Sequence, residues 1–325
     1  MKGSRGPAKG LYSQAVDWLL ASDEPGIRMQ ARRDLLGQKV SIPADEILAG
    51  PMVRRLLAGQ KADGGFGGHP YHKWTGVHWR LVSLAELGAP AGTPAVIAAL
   101  NRDLDWIVAA EAPTARMHIA GVQRVHASMH ANSIACATRL GMARDERVRR
   151  LVGWLVETQW ADGGWNCDRD PRAHHSSIYE SVLAMGALAD FARATSDADA
   201  AQASRRAAEF FLTHHVYKSH TTGQPGHPKW LKLRYPEYWH YDYLHGLVML
   251  MRAGALPDAR AQDALDMLRQ QRQPDGRWVP AGAQYWRGTT GTYGDPAGWS
   301  ATSASQMLTL NALRVLRAGE SAAAQ

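Results

Sequence analysis

Only two cysteines and four phenylalanines occur in 325 residues, and no hydrophobic run approaches membrane length. Two thiols, Cys136 and Cys167, are too few for a disulfide framework in a chain of this size. The longest apolar stretches, such as Leu247–Met251, fall far short of the roughly 18 residues that cross a bilayer. No apolar run follows the basic start MKGSRGPAKG, as a secretory signal requires. The expectation is a soluble cytoplasmic protein, monomer or homodimer, making at most transient membrane contact. Period-two alternation rich in Val, Ile and Thr is nearly missing, which excludes a sheet-based core. Charge of one sign is not in great excess, since 37 Lys and Arg face 30 Asp and Glu for a formal charge of +7. The densest basic groups, Arg28–Arg32–Arg33 and Arg144–Arg147–Arg149–Arg150, alternate with apolar and acidic positions as solvated helix faces do. A nucleic-acid-binding stripe is therefore absent, whereas an acidic small molecule such as a diphosphate stays compatible.

What the chain does contain is helical periodicity. With 45% hydrophobic residues it has enough apolar surface for a large core. Helices are expected near 11–21, 25–37, 43–59, 74–87, 93–109, 128–140, 144–158, 175–191, 197–215, 238–254, 258–272 and 300–318, or six pairs. In one of them Trp74, Val77, His78, Leu81, Val82 and Ala85 recur at steps of three and four before Gly88. Each such stripe needs neighbours to bury it.

An internal repeat organises these helices. Gln60-Lys-Ala-Asp63-Gly64-Gly65-Phe66 recurs as Gln159-Trp-Ala-Asp162-Gly163-Gly164-Trp165, and more loosely as Gln271-Arg-Gln-Pro-Asp275-Gly276-Arg277-Trp278. The aspartates lie 99 and 113 residues apart, so each interval fits two helix pairs. Asp-Gly-Gly reverses the chain through positive φ, and the aromatic after it packs between helices. Stacked antiparallel pairs give a solenoid, or a ring if their rotations sum to a full turn.

These turns resemble the repeats of the squalene cyclases and protein prenyltransferase β subunits over most of residues 43–318, and the chain looks most like the small, uncharacterised bacterial members of that superfamily. The resemblance implies an all-α fold, an (α/α)6 toroid in one domain over 9–318, with disordered tails at 1–8 and 319–325. It also implies a hydrophobic, isoprenoid-type substrate. No Asp-x-Asp-Asp acid motif of the triterpene cyclases occurs; Asp103-Leu-Asp105 and Asp168-Arg-Asp170 lack the third acid. In place of the prenyltransferase Asp-x-Cys zinc pair stands Cys167-Asp168.

Candidate site residues cluster where inner helices are expected to start. Cys167 with His126, His175 and His240 offers the thiolate and imidazoles that zinc prefers, while Tyr179 and Glu180 follow the same turn. Asp242 and His245 are three apart on one helix face among Tyr238, Trp239, Tyr241 and Tyr243, an arrangement suited to an acid/base pair beside cation-stabilising rings. Trp74, His78, Trp79 and Arg80 form a third group, with His78 as a catalytic candidate and Arg80 for an anionic substrate group. Trp299 opens the last inner helix, and the long segment from Val216 to Tyr235 suits a lid.

The leading expectation is an enzyme acting on an isoprenoid-type substrate in a central cavity, by acid-initiated cyclisation or isomerisation or by zinc-assisted transfer. A non-catalytic lipid carrier and an α/α-barrel lyase or hydrolase acting on a polar substrate are the alternatives. Ionisable groups in the cavity favour catalysis, and a wholly apolar lining favours the carrier.

Overall fold

A computed structural model describes residues 12–110, 117–281, 287–288, 291–292, 295–299 and 303–320. Among them the chain is all-α, with thirteen α-helices. These are α1 (Ser13–Leu20), α2 (Pro25–Leu36), α3 (Ala44–Leu48), α4 (Pro51–Leu57), α5 (Val77–Glu86), α6 (Pro94–Ala110), α7 (Ala127–Arg139), α8 (Glu146–Glu157), α9 (Ile178–Thr195), α10 (Ala198–Thr213), α11 (Tyr243–Arg252), α12 (Gln262–Gln270) and α13 (Gln306–Glu320). The only described strands are two short antiparallel hairpins, β1 (Met117–Ile119) with β2 (Val122–Arg124), and β3 (Arg287–Gly288) with β4 (Gly291–Thr292). No described helix is long and apolar enough to cross a membrane. Of the expected disordered tails, 1–8 and 321–325 lie outside the described residues, and residues 319 and 320 belong to α13 instead.

The expected helices differ from the observed ones where a local bond overrides periodicity. The single helix expected over 43–59 is two, because Pro51 has no amide to continue a helix and starts a new one. The buried Glu24 carboxylate caps that second start, accepting from Met52 N at 3.0 Å and Val53 N at 3.2 Å. The helix expected from 238 begins five residues later, at Tyr243, capped by Asp242. The β1–β2 hairpin was not expected from the sequence. It turns through Ala120 and Gly121, both at positive φ, and Ala-Gly is a weaker hairpin signal than Asn-Gly.

Each helix buries its apolar stripe as the spacing requires. On α8 these are Val148, Leu151, Val152 and Leu155, and on α12 Ala264, Leu265 and Leu268. Helices α5, α7, α9, α11, α13 and α2 touch one another in that order. Gln30 of α2 then reaches back to α5, donating to the Glu86 carbonyl at 2.9 Å. Outside this series, α6 packs on α5 and α7, α8 on α7, α10 on α9, and α12 on α11 and α13.

The three repeated turns have one geometry. Lys61, Trp160 and Gln273 each donate their amide to the carbonyl four residues on, at 2.8, 2.8 and 2.9 Å. Gly64, Gly163 and Gly276 sit at φ of 80, 97 and 82°. Gln60 ties its own turn to the next helix through the Gly64 and Ala95 carbonyls, and Gln159 does the same through those of Gly163 and Ala203. Trp165 and Trp278 are fully buried, and each indole N–H donates to the carbonyl ten residues back, Leu155 or Leu268, at 2.9 Å.

At Gly163 an added Cβ would stand 2.4 Å from the Arg206 carbonyl oxygen, whereas at Gly59, also at positive φ, it would meet nothing within 4 Å. Gly59→Ala is expected to cost about 1–2 kcal/mol for the left-handed conformation alone. Gly163→Ala is expected to cost clearly more, and urea unfolding of the two variants gives the comparison.

Candidate functional site

The inner ends of α5, α7, α9, α11 and α13, with the 235–238 segment laid across them, enclose a cavity of about 50 Å3. Its apolar wall comes from Val82, Ala135, Leu183, Val248 and Met249. Its polar groups are Ser83, Glu86, Asn132, Arg139, Glu237, Tyr238, His245, Arg252 and Asn311. Beyond Glu86 and Arg252 it opens into a basin of about 780 Å3 at the C-terminal ends of the same helices.

Glu237 is the acid of this cavity. Burial pushes its carboxyl well above the usual range, and the nearby charges of Asp242 and Glu86 push it further. Glu86 goes the other way: burial opposes its charge, but the guanidiniums of Arg139, with which it pairs, Arg252 and Arg314 together hold its carboxyl below the usual range. His245 is the base. Its Nδ1 lies 2.9 Å from the His240 carbonyl oxygen, which can only accept, so Nδ1 carries the proton and Nε2 keeps its lone pair. Burial lowers the His245 pKa to about 4, so the ring is neutral at ordinary pH.

Asp242, expected as the catalytic acid, is corrected to a helix cap. Its Oδ1 accepts from His245 N at 2.9 Å and its Oδ2 from Arg234 N at 2.8 Å. Burial raises its pKa to about 6 against those bonds, but both oxygens are committed to backbone and the residue is fully buried. Glu237 stands five residues earlier in the same aromatic string. In sequence it is an acid directly after Pro236, whereas the helix-face spacing points to Asp242. Glu86 also escaped notice, although it continues the buried α5 face four residues after Val82.

The aromatic residues divide into those that roof the cavity and those that belong to the core. Tyr238 lines the cavity, stacks on Trp74 with ring centroids 4.8 Å apart, and meets Trp79 edge-on. The Tyr238 hydroxyl bonds Asp295 and lies 3.3 Å from Ser83 Oγ, which also accepts from Trp299 Nε1 at 3.3 Å. Lys73 sits 5.0 Å over the Trp239 ring, and the His240 ring stacks on that of Trp239 with centroids 4.0 Å apart. Arg80, expected to face substrate, instead donates to the Thr75 and Leu56 carbonyls and covers the Phe66 ring at 4.1 Å. Tyr241 is a core residue whose hydroxyl donates to the Val216 carbonyl. Tyr179 accepts from Trp230 Nε1 at 3.0 Å and so anchors the 216–235 segment. His78 lies outside the cavity, with Nδ1 3.0 Å from Asp103 Oδ1, and Ser133 donates to the other oxygen at 2.6 Å.

The four expected zinc ligands do not come together. The His175 ring lies tilted against that of His174, centroids 4.0 Å apart, and His240 lies against Trp239 and Trp74. His126 and Cys167 are joined instead by Glu180, and one donor atom from each falls within 4.8 Å of the others. Glu180 accepts from Ser128 N at 2.8 Å at the start of α7, and its Oε1 is 3.8 Å from His126 Nδ1. Burial pushes the Cys167 thiol up to about 12, and the Glu180 charge and hydrogen bond add to that. His126 shifts upward through its bond to Glu180, while Glu180 itself is held down by His126, Cys167 and Ser128 against its burial. The cluster borders a pocket of about 160 Å3.

No protein-family model matches the chain, and no curated protein sequence matches it. Solved structures that are similar include a type II terpene cyclase, MstE from Scytonema in its apo form. Identity is 14%, the likeness covers 82% of this chain and 95% of that one, and the TM-score is 0.29. A likeness at that level assigns no residue and no reaction.

The cavity carboxyl has a consequence for stability. A group whose pKa is raised on folding supports the folded state below its unfolded value near 4.3, and that support is lost as pH rises through the folded value. Glu237→Gln is therefore expected to raise the melting temperature at pH 8–9 and to change it little at about pH 4. Thermal unfolding across that range reads the difference.

Proposed function

We propose that the chain through Glu320 forms one domain, an α/α toroid whose inner helices are α2, α5, α7, α9, α11 and α13. In this reading it is an enzyme that isomerises or cyclises a hydrophobic, isoprenoid-type substrate by proton transfer at the central cavity. The observation that carries it is Glu237, an acid favoured in its protonated form, lining the same small cavity as the neutral imidazole of His245. Ionisable groups in the lining speak against a carrier. Val82, Leu183, Val248 and Met249 beside them suit an alkene better than a polar reacting group. At about 50 Å3 the cavity is smaller than the usual ligand pocket of roughly 300–1,000 Å3. It therefore takes the reacting end of a chain while the remainder lies toward the basin.

The chemistry then follows from the two groups. The Glu237 O–H bond breaks as a C–H bond forms on the alkene, leaving a carbocation and a carboxylate. Tyr238 and Tyr235 line the cavity, and their rings would stabilise that charge. His245 Nε2 removes a proton from a neighbouring carbon, and the new double bond forms from that electron pair. The His245 imidazolium then gives its proton to solvent, and the Glu237 carboxylate takes one back from solvent, which restores both groups.

The test is turnover of linear isoprenoid alkenes and alcohols in D2O, read by mass spectrometry. Product carrying one solvent-derived deuterium is expected, with the rate falling at least about 100-fold in Glu237→Gln, as loss of a general acid does. Turnover undiminished in that variant would overturn the reading.

A second reading, zinc-assisted transfer, is favoured by the His126–Cys167–Glu180 cluster. Sulfur, nitrogen and oxygen donors with open space beside them fit a three-ligand zinc site. A zinc ion held there would supply Lewis-acid polarisation of a substrate oxygen or thiol. Metal-free protein is then expected to take up one equivalent of zinc, and Cys167→Ala to take up less than about a tenth of that, by elemental analysis after dialysis. Equal uptake by both proteins would remove this reading.

A further inference from the structure

The basin below the cavity is built from the last turns of the inner helices. Arg33 of α2, Arg139 of α7, Arg193 of α9, Arg252 of α11, and Arg314 and Arg317 of α13 all line it. Only Asp34, Glu86 and Asp190 oppose them, which leaves an excess of three positive charges around one opening. From this convergence we infer that the basin is an oxyanion site for a phosphate-type group carrying two or more negative charges.

Helix dipoles account for part of the pattern. A cation in a last turn is favourable, and five of the six inner helices have one there. Dipoles give no reason for a surplus of guanidiniums to face each other across about 780 Å3, where like charges repel. The geometry also separates floor from rim. Arg139 pairs with Glu86, Arg252 with Asp190, and Arg314 with Asp34, and these arginines are mostly buried, their side chains 28, 16 and 14% exposed. Arg33 and Arg193 stand at the rim with side chains 55 and 57% exposed. Asp34 and Asp190, the partners of the rim arginines, are each shared with a floor arginine. Rim guanidiniums therefore have donors to spare, and their planar forks match phosphate oxygens. The carboxyls of Asp34, Glu86 and Asp190 are all held below the usual range by these guanidiniums despite burial, as a positive basin requires.

The bland alternative is a structural lattice of ion pairs that locks the helix ends together, and the two ideas predict opposite effects of removing rim charge. Inorganic pyrophosphate, titrated calorimetrically at constant ionic strength, is expected to bind at one site. Arg33→Gln and Arg193→Gln should each weaken it about tenfold, the loss of a charged hydrogen bond. Neither should lower the melting temperature of the anion-free protein. Arg172→Gln, at an exposed arginine outside the basin, should bind as the parent does. Dodecyl phosphate in a parallel titration identifies the source. Tighter binding than pyrophosphate marks the head of a chain-bearing ligand, and equal or weaker binding marks a free phosphate compound. The inference fails if neither compound binds, if both rim variants bind as the parent does, or if both variants melt lower without altering binding. Glu237→Gln is expected to leave pyrophosphate binding unchanged, so the anion site and the acid chemistry stand or fall separately.

Discussion

Everything in this fold hangs on the requirement that a chain reversing its direction keep its polar backbone bonded while its aromatic side chain goes into the core. Trp165 and Trp278 satisfy it in the same way. Each indole is fully buried, and each N–H returns to a carbonyl near the end of the helix before the turn. The amide of each tryptophan is bound from the far side, by Ser181 Oγ of α9 or Thr309 Oγ1 of α13. One residue therefore fixes the end of the helix before the turn, the path of the turn and the position of the helix after it. A buried N–H left unpaired would cost about 1–3 kcal/mol, so turn and packing are specified together rather than in succession.

Fixing the inner helices in one sense sorts charge between their two ends. At the N-terminal ends, carboxylates meet free amides: Glu180 takes Ser128 N, and Asp242 takes His245 N. At the C-terminal ends arginines gather instead. Both arrangements follow from the helix dipole, favourable by about 0.3–1 kcal/mol at each exposed end. The pattern is broken by an acid in the last turn of α5 and by Glu237 on the segment laid across the cavity.

The repeated Gln-x-x-Asp-Gly-Gly-aromatic string and the apolar stripes made most of the helices legible before any coordinates. What they concealed was depth and direction. His78 was rightly placed on an apolar face, yet its partner Asp103 is 25 residues away and the pair lies beside Trp106, away from the cavity. Arg80 and Tyr241 sit in the aromatic strings that suggested a binding surface, but backbone carbonyls take their donors. The arginines of the basin were invisible for a different reason. In sequence they are scattered from position 33 to 317, and only the common register of helix ends brings them together. Local spacing reports which residues share a helix face, whereas a ring of ends is a property of the stack.

Glu237 shows how such a stack sets up chemistry at a cost to stability. A carboxyl beside Asp242 and Glu86 meets two unfavourable charges as well as burial. A fold selected for stability alone would place an amide or an apolar residue there, because an ionisable group adds nothing to packing that its isostere lacks. The same environment that penalises the carboxylate raises the free energy of its charged form and so favours the proton. Asp242 has a similar burial and a smaller upward shift because two backbone amides hold its charge. The two acids differ in what surrounds their oxygens. One is satisfied and caps a helix; the other faces a cavity that also holds the charges of Glu86, Arg139 and Arg252. That difference in satisfaction, not proximity to aromatic rings, separates the two carboxyls.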